Sequence, residues 1–323
     1  MTTLLSRAAT AAAVVCATTF VSAVPASDAA DVHAAAERIV TSALLAGGGA
    51  KATVLSPDGS GRVHVDVPGE LEDFNKSTWS HDGTRLLHSN VFVFDDDGEI
   101  LAFRPAISAP DGSGYRLLRM RHRPPDMYCS AWSPDDKRIL CNNAGGIVSF
   151  RVSDGRGARR LTTNPYGGQD LPIGYSPDGS RVAWVREGPG STDEHERAAI
   201  FVADADGTHA RRLNRWGLLN AHEFAAANWS PDGTAFVAAT RRGALVTVDA
   251  VVGGSTPLPV ELGPNAFAVM PDYSPDGEHL VFAVFRDRPS DLYVVGVDGS
   301  GLRRITRTPN RSELSPDWSS RTP

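Results

Sequence analysis

The sequence predicts an all-β protein: a six-bladed β-propeller, its ring closed by N-terminal strands that pair with the C-terminal strand in one shared blade. Three observations predict it. An aromatic residue followed by Ser and then Pro-Asp-Gly, or a near variant, recurs at Trp79, Trp132, Tyr175, Trp229 and Tyr273, and a fragment, Trp318-Ser319, ends the series. Successive aromatics lie 53, 43, 54, 44 and 45 residues apart, a fixed period of the kind that marks repeat architectures. The two ends of the chain read as complementary parts of one further unit.

At the N-terminus, Arg7 is the only charge in the first 27 residues. Ala8 to Val24 is apolar apart from Thr10, Cys16, Thr18, Thr19 and Ser22, and Val21-Ser22-Ala23 or Val24-Pro25-Ala26 suits cleavage. Residues 1–26 therefore read as a signal peptide, 27–36 as a short linker and 37–323 as the propeller. The expected location is secreted or extracellular, with association to the cell envelope left open. No other stretch is long and apolar enough for an integral membrane segment.

Each phrase has a mechanical reading. A strand ends at the aromatic, Pro presets φ for the turn, and Gly takes the left-handed conformation that closes it. A second strand follows, as in Arg181-Val182-Ala183-Trp184-Val185, then a third, as in Ala199-Ile200-Phe201-Val202-Ala203. An Asp206-Gly207 turn leads to a short basic fourth strand, Arg211-Arg212-Leu213. Four antiparallel strands per repeat make one blade. The aromatic ring fills the wedge between blades, and the turn Asp bonds local backbone.

The sixth phrase supplies only a first strand. Its continuation lies at the N-terminus, where Glu37–Ser42, Ala52–Leu55 and Asp58-Gly59-Ser60-Gly61 parallel Glu278–Ala283, Leu292–Val295 and Asp298-Gly299-Ser300-Gly301. Three N-terminal strands and one C-terminal strand then share a blade, which removes open sheet edges.

The aromatic-Ser-Pro-Asp-Gly turn, followed by Asp-Gly and a basic-Leu-Thr strand (Arg159-Arg160-Leu161-Thr162), resembles the TolB-type propeller repeat over residues 37 to 323. The resemblance implies a periplasmic-type, six-bladed propeller. TolB carries an α/β domain ahead of its propeller, whereas about ten residues are expected here between signal and first strand. Related propellers also precede serine peptidase domains, but no Gly-x-Ser-x-Gly elbow occurs in the sequence.

A net charge of -6 and a pI near 5.8 leave no basic stripe for phosphate backbones, which argues against nucleic acid as a partner. The expected partner is a protein, a peptide or an envelope component, bound by a monomer at the channel mouth. The candidate ligand-binding residues there are the acids five or six positions before each aromatic: Asp73, Asp126, Asp170, Glu223 and Glu313, with His222 beside them. Blade five breaks the pattern with Phe267. Carboxylates converging on one axis suit basic groups or a divalent cation, the only cofactor the pattern suggests. The competing structural role for each acid is pairing with an arginine of a neighbouring strand. The alternative function is a propeller-type enzyme, a polysaccharide lyase or hydrolase, with its site at the same mouth. No residue is assigned a catalytic role.

Smaller signals read as scaffold. Asp95-Asp96-Asp97-Gly98-Glu99 suits a hairpin turn, Thr192–Glu196 a loop insertion, and Arg121-His122-Arg123 a mouth loop. Pairing Trp132 with Arg138 across the blade-two turn sets Cys129 opposite Cys141, so a disulfide is expected between them.

Overall fold

In the computed structural model, the described residues are 37–45, 49–68, 71, 76–94, 100–120, 127–143, 145–192, 197–219, 227–286 and 289–319. They form 24 strands in six four-stranded antiparallel sheets, with no helix among them. The innermost strands are Ser77–Trp79, Cys129–Trp132, Asp170–Tyr175, Ala227–Trp229, Phe267–Tyr273 and Glu313–Ser319, the last belonging to blade six. They contact one another in cyclic order, the sixth returning to the first. The ring is closed as expected. Blade six sets Glu313–Ser319 beside Arg38–Leu44, then Ala50–Leu55, then Val63–His64. Ile39 faces Trp318 and Ala43 faces Glu313 across that join.

Alternation along a strand explains why the second strands read as nearly continuous apolar runs. In Arg181–Glu187, Val182 and Trp184 enter the core shared with blade two, while Ala183 and Val185 enter the one shared with blade four. Each of the six apolar clusters lies between one pair of neighbouring sheets. The repeated phrase serves the same end. Trp132, Trp79 and Tyr273 are buried, and Arg85 lies 4.8 Å over the Trp132 ring from the blade before it. Within each turn the Ser hydroxyl donates to the turn Asp, as Ser230 does to Asp232 at 2.6 Å, and accepts the Ala235 N–H at 2.9 Å.

The second turn also acquires a reason for its glycine. Gly207 has φ +89, and a Cβ there would meet the Leu161 carbonyl oxygen of the preceding blade at 1.9 Å. Gly59, Gly112, Gly155, Gly253 and Gly299 abut the carbonyl of the preceding blade in the same way.

The expected disulfide is present between Cys129 and Cys141, with Cα atoms 3.9 Å apart. The register leading to it differs from the expected one. Trp132 pairs with Ile139, not Arg138, because the turn closes with the Ser133 N–H donating to the Arg138 carbonyl. A bulge between Cys129 and Ala131 takes back the extra residue, which restores the cysteine pair.

Candidate functional site

Four of the acids and bases expected at the mouth, Asp73, Asp126, His222 and Glu223, lie outside the described residues, as do Arg121–Arg123, Asp95–Glu99 and residues 193–196. The other two, Asp170 and Glu313, open the inner strands of blades three and six, and each is held by an arginine. The Arg186 Nε and Nη2 donate to Asp170 at 2.7 and 2.6 Å, and the Thr162 hydroxyl donates at 2.7 Å. Arg186 in turn lies over Trp184 and Phe201, at 5.4 and 4.8 Å. Burial pushes the Asp170 carboxyl up, and Arg186 and Thr162 pull it back. Glu313 accepts a hydrogen bond from Arg62 through Oε1, while its buried Oε2 has no protein donor among the described residues. Burial again raises its pKa, opposed by Arg62. Phe267, at the matching place in blade five, is 48% exposed.

A second group of polar side chains gathers on the ring axis. A cavity of about 280 Å³ is lined by residues of all six innermost strands or their borders, among them Lys76, Thr78, Ser130, Asn228, Asp272 and Asp317. The strands around it are stitched blade to blade. The Trp79 N–H donates to Asp317 Oδ2 at 2.8 Å, and the Trp318 N–H donates to Asp272 Oδ2 at 2.8 Å. The Asn228 amide donates to the Pro271 carbonyl at 2.8 Å, and Trp229 Nε1 to the Gly174 carbonyl at 3.2 Å. The Ser130 hydroxyl reaches the Pro172 carbonyl at 2.9 Å, and Trp132 Nε1 the Thr78 carbonyl at 3.1 Å. One such bond therefore spans every blade boundary.

Asp272 and Asp317 differ from Asp170 and Glu313 in having no arginine partner among the described residues. They are open in part to the channel yet enclosed by protein. Burial pushes the Asp272 carboxyl up to about 7, Asp317 adds to the rise, and Lys76 and two backbone N–H groups oppose it. Burial raises Asp317 as well, against Lys76. Thr78 Oγ1 and Trp79 Nε1, both buried, have no protein partner among the described residues and belong to residues lining the same cavity. The arrangement offers two charge-strained acceptors, an amide and hydroxyls around one space. Its oxygen donors suit a hard cation, although Lys76 already supplies positive charge there.

Sequence reasoning missed this group because it followed the acids at the strand entrances. The signal was one residue before each aromatic. If the aromatic turns between blades, strand alternation turns its predecessor elsewhere, and that predecessor is an acid in Pro271-Asp272-Tyr273 and Pro316-Asp317-Trp318. One other cluster of metal-type ligands occurs among the described residues, at Asp276, Glu278 and His279. It is an exposed turn in which Asp276 Oδ1 already accepts from Ser274 and from the Glu278 N–H.

The closed ring of six sheets, with its aromatic-Ser-Pro-Asp-Gly turns, defines the class: a six-bladed β-propeller, similar in fold to that of TolB proteins. No protein-family model matches the chain. It is 28% identical over 195 residues to an uncharacterized protein of Agrobacterium fabrum, covering 59% of this chain and 62% of that protein. It is 29% identical over 140 residues to the Tol-Pal system protein TolB of Anaeromyxobacter dehalogenans, covering 43% of this chain and 29% of that one. Among solved structures, TolB from Acinetobacter baumannii aligns with a TM-score of 0.62 at 17% identity, covering 87% of this chain and 66% of that chain. The chain thus spans less than two thirds of the length of each of these relatives. Among the described residues, no helix is long and apolar enough to cross a membrane.

Proposed function

We propose that the protein is an exported binding scaffold whose propeller receives a protein or peptide segment, or an envelope component, at the mouth of its axial cavity. The observation that carries this reading is the pair Asp272 and Asp317, enclosed on the axis with no arginine partner among the described residues, beside Thr78 Oγ1 and Trp79 Nε1, which have no partner among those residues either. Buried polar groups left unmatched cost stability unless a ligand supplies the missing bonds. Amine, guanidinium or amide donors of a segment would serve the two carboxylates and Thr78 Oγ1, and its carbonyls would accept from the Trp79 indole N–H. Asp73, Asp126, His222 and Glu223 remain proposed ligand-binding residues ahead of the inner strands, and Asp170 and Glu313 brace the strands they begin. A divalent cation, if bound, would be held by Asp272, Asp317 and Asn228. The disulfide supports export, since such bonds persist in oxidising compartments, and residues 1–26 are the proposed signal.

A photo-crosslinking amino acid placed at His81 or Pro177, both lining the cavity, tests the reading in the native host. Adducts are expected from these positions and not from Val252, which is 82% exposed in a turn of blade four. Adducts from Val252 alone would contradict it. The enzyme alternative has one observation in its favour, because a carboxyl with a pKa near 7 suits proton transfer at neutral pH. Polysaccharide cleavage abolished by Asp272→Asn would establish that reading; binding without turnover would dismiss it.

A further inference from the structure

Blade six holds a second cavity, of about 380 Å³, lined by Arg62, His64, Arg307, Asn310, Arg311 and Glu313 among others. Its volume is that of a small-molecule site. The walls come from the outer strand of blade six and from the segment that leads out of blade five. That segment is fixed in place: the Thr308 N–H donates to Asp291 Oδ1 at 3.1 Å, and the Thr308 hydroxyl to the Arg311 carbonyl at 2.9 Å. His64 Nδ1 is 2.9 Å from the Thr53 hydroxyl.

The charges are concentrated and unevenly used. Arg62 is spent on Glu313 Oε1, but among the described residues the guanidinium groups of Arg307 and Arg311 hydrogen-bond to nothing. Burial, with Arg311, Lys51 and Arg62 nearby, holds the His64 imidazole below its ordinary pKa, so it adds no charge near neutrality. Three arginines against one carboxylate leave a local surplus of two positive charges in a chain whose net charge is -6. Glu313 lines the same cavity with a side chain that is 1% exposed, and its Oε2 is an acceptor with no donor among the described residues.

We propose that this cavity binds a small hydroxylated dicarboxylate, its carboxylates against Arg307 and Arg311 and its hydroxyl donating to Glu313 Oε2. Guanidinium groups recognise carboxylates by paired, charge-assisted hydrogen bonds, and two negative charges balance the surplus. The orphan acceptor adds a requirement that a plain anion cannot meet. A hydroxyl meets it without bringing a positive charge toward the arginines, as an ammonium would. The site goes beyond the axial reading, because Glu313 does not line the axial cavity, and either can fail alone.

The test is calorimetric titration of the mature protein with malate and with succinate, which differ by one hydroxyl. Malate is expected to bind at least about tenfold more tightly, the gain of one hydrogen bond to a charged acceptor. The double variant Arg307→Ala with Arg311→Ala, both exposed positions, should lose both ligands. Glu313→Gln should bring the two affinities together. Absence of malate binding, equal affinity for malate and succinate, or binding unchanged by the arginine substitutions would each overturn the proposal. The arginine variants keep the test decisive if Glu313→Gln does not fold.

Discussion

Asp170 and Asp272 are the same residue type on equivalent strands of the same ring, yet they do opposite things. Asp170 begins its inner strand with two guanidinium bonds and a hydroxyl bond, so its charge is consumed inside the blade. Asp272 lies near the end of its strand with two backbone N–H donors and the charge of Lys76 set against its burial, so its own charge is held with difficulty. Partner chemistry, not residue identity or repetition, separates scaffold from site. A group whose bonds are complete has nothing to offer a ligand.

The comparison breaks most easily at the scaffold end. Asp170→Ala strands Arg186, which is almost wholly buried, and should cost about 3–5 kcal/mol in urea unfolding. A loss under about 1 kcal/mol would mean that the entrance pair is as dispensable as a surface ion pair. Replacing Cys129 and Cys141 by serine should cost about 3 kcal/mol, read as a lower melting temperature than that of the oxidised protein. Gly207→Ala meets both a positive φ and the Leu161 carbonyl, and should cost about 2 kcal/mol, whereas an alanine at Gly190, where nothing lies near, should cost less.

At the axis the sign reverses. The folded-state pKa of Asp272 is raised, so ionising it costs stability as pH climbs from about 4 toward about 7, and nothing below that window. Asp272→Asn should therefore exceed the natural protein by up to about 4 kcal/mol at about pH 8 and match it near pH 4. The difference between the two proteins must be used, because His88 acts the other way. Its imidazole is buried between Ser77 and Ser108 and held down at about 4, so its stabilising neutral form is challenged as pH falls below the ordinary value of 6.5.

The propeller was legible because its cause is periodic. Turn chemistry and closing glycines recur with the blade, and even the divided sixth blade betrayed itself by matching strand and turn spacings in Glu37–Gly61 and Glu278–Gly301. The cysteine pair was legible too, although two compensating one-residue shifts, at the turn and at Ser130, lay below what spacing can resolve. The site was less legible. Acids at strand entrances recur and draw the eye, but Arg186 lies 16 positions from Asp170 and Arg62 lies 251 from Glu313, so nothing local announces the pairing. Asp272 and Asp317 stand in only two blades, and non-periodic residues leave no trace in a search for repeats.

The charge held on the axis is read most directly by carbon-13 NMR of the aspartate side chains from about pH 3 to about pH 9. The Asp272 resonance, assigned by its loss in Asp272→Asn, should titrate with a midpoint near 7. A midpoint at the ordinary aspartate value of 3.8 would mean that the axial carboxylate is as well satisfied as any surface acid, ionised at no cost and with no unmet demand for a partner to fill.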